Sequence, residues 1–385
     1  MKILQCSDSY LPHPGGVSEH LHYLSVALRR RGHNVTILAP EYPERYEDPS
    51  FVKRIGRVVY FKGNKSTITF TFHPLLPYLV NDFIRKENFE IVHTHGPFGW
   101  NLPYWAFHLS RGLNVATLHT TFTGFNFYSL AKLFFKREFQ RRMDGLIFVS
   151  KTAFESAFPH FPLNYKIIPN GIDTERFSPR VKPIISLKKK GTIILFVGRL
   201  DERKGLNILL KAFPIIKKRV PYAVLVVVGK GPLMGEFKKM VPHQFSNDVI
   251  FEGFVSEEKL PSYYASADVY CSPSTGGETF GIVLLEGMAS GIPVVASNIP
   301  GYDQVIIDGY NGIFFETGDH FDLAEKIITV IKKNKLREKL ITGGLKTSKK
   351  FSWEEVALQV ENYYLELMER RKERQDIGYR EQNIG

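Results

Sequence analysis

Two glutamates eight residues apart, Glu278 and Glu286, lie in the string GGETFGIVLLEGMASG, which runs from Gly276 to Gly291. Two glycines precede the first glutamate, and an apolar pattern of helical period follows it. If both residues were helical, their carboxylates would stand about 80° apart around the axis and about 12 Å apart along it. That is too far for an acid–base pair at one small reacting centre. It suits an elongated ligand, with one carboxylate accepting bonds from sugar hydroxyls and the other from a ribose. The glycines would let backbone approach such a ligand, and helix N–H groups would face its phosphates. Taken singly, each residue also reads as ordinary: Glu278 as an exposed cap, Glu286 as a surface residue on a helix.

A second string, FVGRLDERKG (196–205), sets Arg199 directly after a buried-strand pattern and Lys204 five residues on. Ligands of open α/β sheets sit outside the carboxyl ends of strands. A guanidinium and an ammonium there would neutralise a diphosphate, both on binding and as negative charge grows on a leaving group. Solvated loop charge is the plainer alternative. A third string, PHPGGV (12–17), opens a helix with Gly15 and Gly16, whose N–H groups could meet a ligand as a phosphate loop does. It is not the dinucleotide fingerprint, and neither is VGKGPLMG (228–235), whose third glycine comes one residue late. Two strand ends carry histidines, HTHGP (93–97) and LHTTFTG (118–124). His119 falls where a strand should pass into a loop. His93, His95 and His119 lack H-x-x-x-H or C-x-x-C spacing, so no metal site is expected.

Alternating short apolar runs and helix-length segments must position these residues. The first series of strand candidates is KILQC, NVTILAP, IVHTH, NVATLHT and GLIFVS; the second is TIILFVG, AVLVVVG, VIFEGF, DVYCSPS and IPVVAS. Continuous β-branched runs suit strands covered on both faces, hence parallel sheets in a βαβ layout. Val17, Leu21, Leu24 and Leu28 mark one face of a helix over Val17 to Arg31, with Gly32 as its stop. A chain of 385 residues exceeds what one core usually organises. Two Rossmann-like α/β domains are expected, over 1–178 and 186–352, joined by the proline- and lysine-rich stretch 179–191. A final helix, Trp353 to Arg371, follows, and a segment of about 358–377 is expected to complete the first domain.

The composition, 43% apolar and 23% charged, is that of a soluble globular protein, and no stretch approaches a spanning helix or a signal peptide. Cys6 and Cys271 lie in separate strand runs and read as buried reduced thiols, consistent with the cytoplasm. The net charge is +12. Residues 1–180 hold 22 Lys and Arg against 14 Asp and Glu, and the rest hold 29 against 25. Phe51 to Val80 carries Lys53, Arg54, Arg57, Lys62 and Lys65 with no acidic residue, either a solvated surface or one that attracts an anionic partner.

Together, PGGV, HTHGP, LHTT, VSK (149–151), IPNGID (168–173), VGRLDERKG, VGKGP and GGETFGIVLLEGMASGIPVVAS resemble the family 4 retaining glycosyltransferases of the GT-B fold, from Lys2 to about Arg371. The phosphatidylinositol mannosyltransferases are nearest in flavour. The resemblance implies two parallel-sheet domains facing across a cleft, with a nucleotide-sugar substrate and no cofactor or metal. It implies that Glu278 binds the transferred sugar's hydroxyls and Glu286 the ribose. Arg199 and Lys204 would hold the diphosphate, with Gly15 and Gly16 approaching it from the first domain. His119 would sit beside the donor sugar, and Val255 by the base. Gly231, Gly277, Thr279, Phe280, Gly281 and Ile282 complete the implied donor-binding set. Catalysis would fall to His119, Glu278, Arg199 and Lys204. Retention would proceed by same-face attack assisted by the leaving phosphate, without a covalent nucleophile.

On the acceptor side the pattern departs from those enzymes. Their basic membrane-facing helix corresponds to FHPLLPYLVNDFIRKENF (72–89), which carries only Arg85 and Lys86. FNFYSLAKLFFKREFQRRM (125–143), with Lys132, Lys136, Arg137, Arg141 and Arg142, is a second candidate for a membrane interface. The expectation is a hexosyltransferase, with mannose from GDP-mannose as donor and a lipid or glycan as acceptor. It would be cytoplasmic, with peripheral association at an anionic inner membrane face. A UDP-sugar donor with a soluble or glycan acceptor is the alternative. A nucleotide-sugar epimerase, or a basic membrane- or nucleic-acid-binding protein, would leave the Glu278/Glu286 string unexplained, and no nucleic-acid partner is expected.

Overall fold

The computed structural model describes residues 1–13, 15–63, 66–119, 127–278 and 280–382, with side chains omitted over 62–68, 127–131 and 374–382. The chain forms two compact units, Met1–Gly171 with Trp353–Gly385, and Ile172–Ser352. Ile172 and Phe177 are buried in the second unit's core, and the Ile172 N–H donates to Phe351 O at 2.7 Å. Residues 172–178 therefore pack with the second unit, whereas the sequence places them in the first.

The first unit's strands are β1 (Lys2–Cys6), β2 (Asn34–Glu41), β3 (Val52–Gly63), β4 (Ser66–Phe72), β5 (Ile91–His95), β6 (Leu113–Leu118), β7 (Gly145–Phe148) and β8 (Tyr165–Ile167). They form one sheet in the order β4-β3-β2-β1-β5-β6-β7-β8, parallel except for the antiparallel β3–β4 pair. The interior strands are buried along almost their whole length, as helices on both faces require. The β3–β4 hairpin was not foreseen, because its cations break the apolar pattern. At a sheet edge that charge is tolerated. Arg54 is structural there. It bonds Asp48 Oδ2 at 2.9 Å and Pro40 O at 2.9 Å, and its guanidinium lies 5.1 Å from the Tyr10 ring centre.

The helix Trp353–Gln382 closes this unit, burying Val356, Val360, Tyr363, Tyr364 and Leu367 against the sheet. Gly145 lies beneath it: a Cβ there would come within 2.5 Å of Leu367 Cδ1. The helix Gly16–Arg30 buries Leu21, Leu24 and Leu28 of the face read from sequence, while Val17, in its first turn, is only partly buried.

The second unit holds β9 (Thr192–Val197), β10 (Ala223–Val228), β11 (Val249–Gly253), β12 (Val269–Ser272), β13 (Val294–Ser297) and β14 (Ile313–Phe315). All are parallel, in the order β11-β10-β9-β12-β13-β14. Both units are thus Rossmann-like. Cys6 and Cys271 are free and buried. Among the described residues, no helix is long and apolar enough to cross a membrane.

Candidate functional site

Strand order in the second sheet reverses between β9 and β12, and ligands of open α/β sheets gather outside the strand ends at such a reversal. The chain leaves β9 through Gly198 and Arg199 and enters a single turn, Glu202–Lys204, capped by the Asp201 carboxylate, which accepts from the Lys204 N–H. Gly205 ends the turn with φ +67, where a Cβ would meet Pro273 O at 1.9 Å. That close approach brings the segment after β12 alongside the turn, and Thr275 N–H donates to Arg203 O at 2.8 Å.

Lys204 and Glu278 meet there. Lys204 Nζ lies 2.7 Å from Glu278 Oε1, and Arg203 Nη1 lies 2.7 Å from the same oxygen and 3.0 Å from Gly277 O. Ser274 Oγ reaches Glu278 Oε1 at 3.4 Å and joins it to the Tyr302 hydroxyl, 3.1 Å from Ser274. The Glu278 side chain is only 11% exposed, so it is neither a free cap nor the exposed residue expected. It also precedes the helix Ile282–Ala289, so the angular estimate between the two glutamates does not apply. Arg203 was missed by the sequence reading. Its signal is the second cation immediately before Lys204, launched from the same tight turn. Arg199 is exposed, with Nε 3.7 Å from Asp201, and the structure shows no bond from it to Glu278.

Glu286 is held separately. Its Oε2 accepts from the Tyr264 hydroxyl at 2.7 Å. Burial raises its pKa, opposed by the Tyr264 bond and the Arg176 charge, and Arg176 is a further residue that sequence did not single out. Gly277 (φ +69) is packed on Arg203, and Gly281 (φ +84) on the Tyr302 ring. Gly276 has open space above it. Gly231 lies against Leu200 O, 2.2 Å from where a Cβ would stand, so chain packing alone accounts for it. The Phe280 ring is core, packed on Phe351 at 5.5 Å. Val255 and Ile282 are partly buried, and Val255 follows a 70% exposed Phe254. Thr279 lies outside the described residues.

In the first unit, Gly15 (φ +151) and Gly16 open the helix Gly16–Arg30, and a Cβ on either would meet nothing within 4 Å. His119 follows β6 and is partly exposed. Its Nε2 lies 2.9 Å from His95 Nδ1 at the end of β5. His20 stands edge-on to it, ring centres 4.7 Å apart, with Nδ1 2.9 Å from Asn170 Oδ1 and Nε2 buried without a partner. A ring nitrogen from each of His20, His95 and His119 comes within 4.8 Å of the others. Three imidazoles so placed are a possible ligand set for a metal ion, and His95 and His119 also bond each other directly. Burial first, and neighbouring imidazoles second, hold His95 and His119 well below the usual histidine range. Burial brings His20 down to about 4 and His93 to about 3. All four are neutral near pH 7.

Residues 14–176 match the family model described as Glycosyltransferase Family 4, and residues 178–347 match Glycosyl transferases group 1. A phosphatidyl-myo-inositol mannosyltransferase of Mycobacterium tuberculosis is 34% identical over 363 residues, covering 91% of this chain and 93% of that protein. An alpha-monoglucosyldiacylglycerol synthase of Streptococcus pneumoniae is 28% identical, covering 86% and 78%. The solved structure of a glycosyltransferase from Rickettsia africae aligns over 95% of this chain and 98% of its own with a TM-score of 0.73 at 19% identity. That likeness extends the agreement in fold to nearly the whole chain.

Two outcomes follow from this geometry. Glu278→Gln keeps the shape but leaves two cations side by side, so it should lower stability by about 1–3 kcal/mol in urea unfolding; an unchanged midpoint would show the contact to be idle. The second concerns acid. A histidine with a depressed pKa binds protons more readily when unfolded, so the cluster's contribution is present above about pH 6.5 and lost as pH falls toward 4. Asp8, raised to about 6 by burial, acts the other way over the same range. Four histidines outweigh one carboxylate, so the first unit should lose stability from pH 6.5 to 4, and His20→Gln should flatten that slope in thermal melts. A parallel slope in the variant would contradict this.

Proposed function

This chain belongs to the family 4 glycosyltransferases of GT-B fold, and we propose that it moves a hexose, mannose from GDP-mannose, with retention onto a membrane lipid of phosphatidylinositol type. The observation that carries the reading is the Lys204–Glu278 contact at the β9/β12 reversal. A lysine ammonium has three donors, and one on Glu278 leaves two for phosphate oxygens. Arg199, exposed on the same loop, adds a second fixed charge. These cations would bind the diphosphate and stabilise the charge that grows as it leaves, without a divalent ion. Arg203 and Lys204 share Oε1 of Glu278, and we assign Oε2 to the sugar hydroxyls. Glu286 would accept from the ribose, and Val255 would lie by the base. Gly15 and Gly16, with open space above them, would meet the diphosphate, and His119 the transferred sugar.

The mannosyl- and glucosyl-transferring relatives both have lipids in their names, which supports a lipid acceptor more than it supports either sugar. The first unit offers a surface of suitable chemistry. Leu133 (76%) and Phe134 (59%) are exposed on the helix Phe127–Arg142, and Trp100 packs on Phe134 at 5.9 Å. Lys136 and Arg137 are exposed beside them. Aromatic rings flanked by cations suit the headgroup layer of an anionic bilayer, which would make the enzyme peripheral on a cytoplasmic face.

A thermal-shift panel of nucleotide sugars tests the donor: GDP-mannose should raise the melting temperature more than UDP-glucose, through binding to the folded state alone. A larger rise with UDP-glucose would replace the donor assignment with the UDP-sugar alternative. For the acceptor surface, the protein should sediment with phosphatidylglycerol or phosphatidylinositol liposomes at low salt and be released by about 0.5 M salt. Equal sedimentation of Leu133→Ser/Phe134→Ser would remove that helix from the membrane contact.

A further inference from the structure

A neutral imidazole donates from one nitrogen and accepts at the other, so what His119 can do for a sugar depends on which nitrogen holds its proton. Burial keeps the cluster uncharged, which leaves only that choice. The neighbours decide it. Gln5 Oε1 lies 2.9 Å from His95 Nε2. An amide oxygen only accepts, so His95 carries its proton on Nε2 and presents a bare Nδ1. That bare nitrogen is 2.9 Å from His119 Nε2, which must then donate to it. Nδ1 becomes the acceptor nitrogen of His119.

The far end of the Gln5 amide is held consistently with this. Gln5 Nε2 lies 3.3 Å from both the Tyr364 hydroxyl and His93 Nδ1. The Tyr364 hydroxyl lies 2.6 Å from His93 Nδ1, and His93 Nε2 lies 2.6 Å from Thr117 Oγ1. Gln5 is fully buried in β1 between apolar neighbours, where an amide without partners would be costly. Turning the amide over would reverse each bond and leave His119 with its proton on Nδ1.

We propose that Gln5 is a positioning residue that sets, through His95, the tautomer of His119, so that His119 offers Nδ1 as a hydrogen-bond acceptor to a hydroxyl of the reacting sugar. The proposal rests on the assignment of His119 to that sugar. His20, edge-on to His119 and anchored on Asn170, fixes the ring plane without contributing to the proton pattern.

Long-range proton–nitrogen NMR correlations on the full chain labelled with ¹⁵N-histidine report the tautomer directly, with the His119 signal assigned by its loss in His119→Asn. The wild type should show the Nε2–H form. Gln5→Met, close in shape but without an amide, should give a mixture of tautomers, with kcat down roughly tenfold or more and KM for the nucleotide sugar within about twofold. An Nδ1–H form in the wild type, or an unmixed Nε2–H form in Gln5→Met, overturns the proposal; the wild-type spectrum decides even if Gln5→Met folds poorly. A tautomer shift with turnover unchanged would uphold the relay and remove His119 from the transfer instead.

Discussion

Lys204 can reach Glu278 because β9 and β12 are neighbours in a parallel sheet although far apart in sequence. Parallel pairing forces each strand to release its chain at the same edge, and a reversal of strand order leaves two such exits side by side with no helix between them. Charge placed at either exit must find a partner across that gap. In the second unit the partner is a carboxylate that receives two cations on one oxygen. Gly205 and Gly277, both in left-handed backbone, are what allow the two segments to come close enough. A side chain at Gly205 would collide with Pro273 O, and one at Gly277 with Arg203 Cδ. The glycine content of the string thus serves the ion pair at least as much as any ligand.

The first sheet meets the same constraint with uncharged imidazoles. Its order reverses between β1 and β5, and the residues around that point are Gln5, His95 and His119, with His20 from the first helix. None carries charge near neutrality, because burial penalises the imidazolium more than any neighbour repays it. One unit therefore offers fixed positive charge, and the other offers uncharged imidazoles, with the buried Asp8 carboxyl, raised to about 6, just beyond the end of β1. In the proposed transfer of a sugar from a diphosphate, the first would serve an anionic leaving group, and the second hydroxyls whose bonds must be oriented rather than ionised.

The sequence was legible where pattern and chemistry coincide. Continuous apolar runs marked ten of the fourteen strands among the described residues, and the helix face Leu21, Leu24, Leu28 was readable from its period. Short strands such as Tyr165–Ile167 and Ile313–Phe315 carry too few residues for any period to show, and the β3–β4 hairpin hides its alternation behind lysines and arginines. At the site, Lys204 and Glu278 could be named from their strings. The burial of Glu278 could not, since it depends on Arg203 and Ser274 folding over it from different segments. Gln5 was invisible for a related reason: one polar residue within an apolar strand looks like noise until its two ends are seen to be bonded.

Glu278 also shows why a buried acid is compatible with ligand binding. A lone carboxylate at 11% exposure would pay heavily for its lost hydration. Two cations and a serine hydroxyl offset that cost while using a single oxygen, and Arg203 additionally ties the backbone at Gly277. The loop is thus fixed before any ligand arrives, and a sugar that binds the remaining oxygen need not order it. The two adjacent cations differ in what they can do: the Arg203 guanidinium grips a carbonyl and a carboxylate together, whereas the Lys204 ammonium, in the proposed reading, would keep donors in reserve for phosphate.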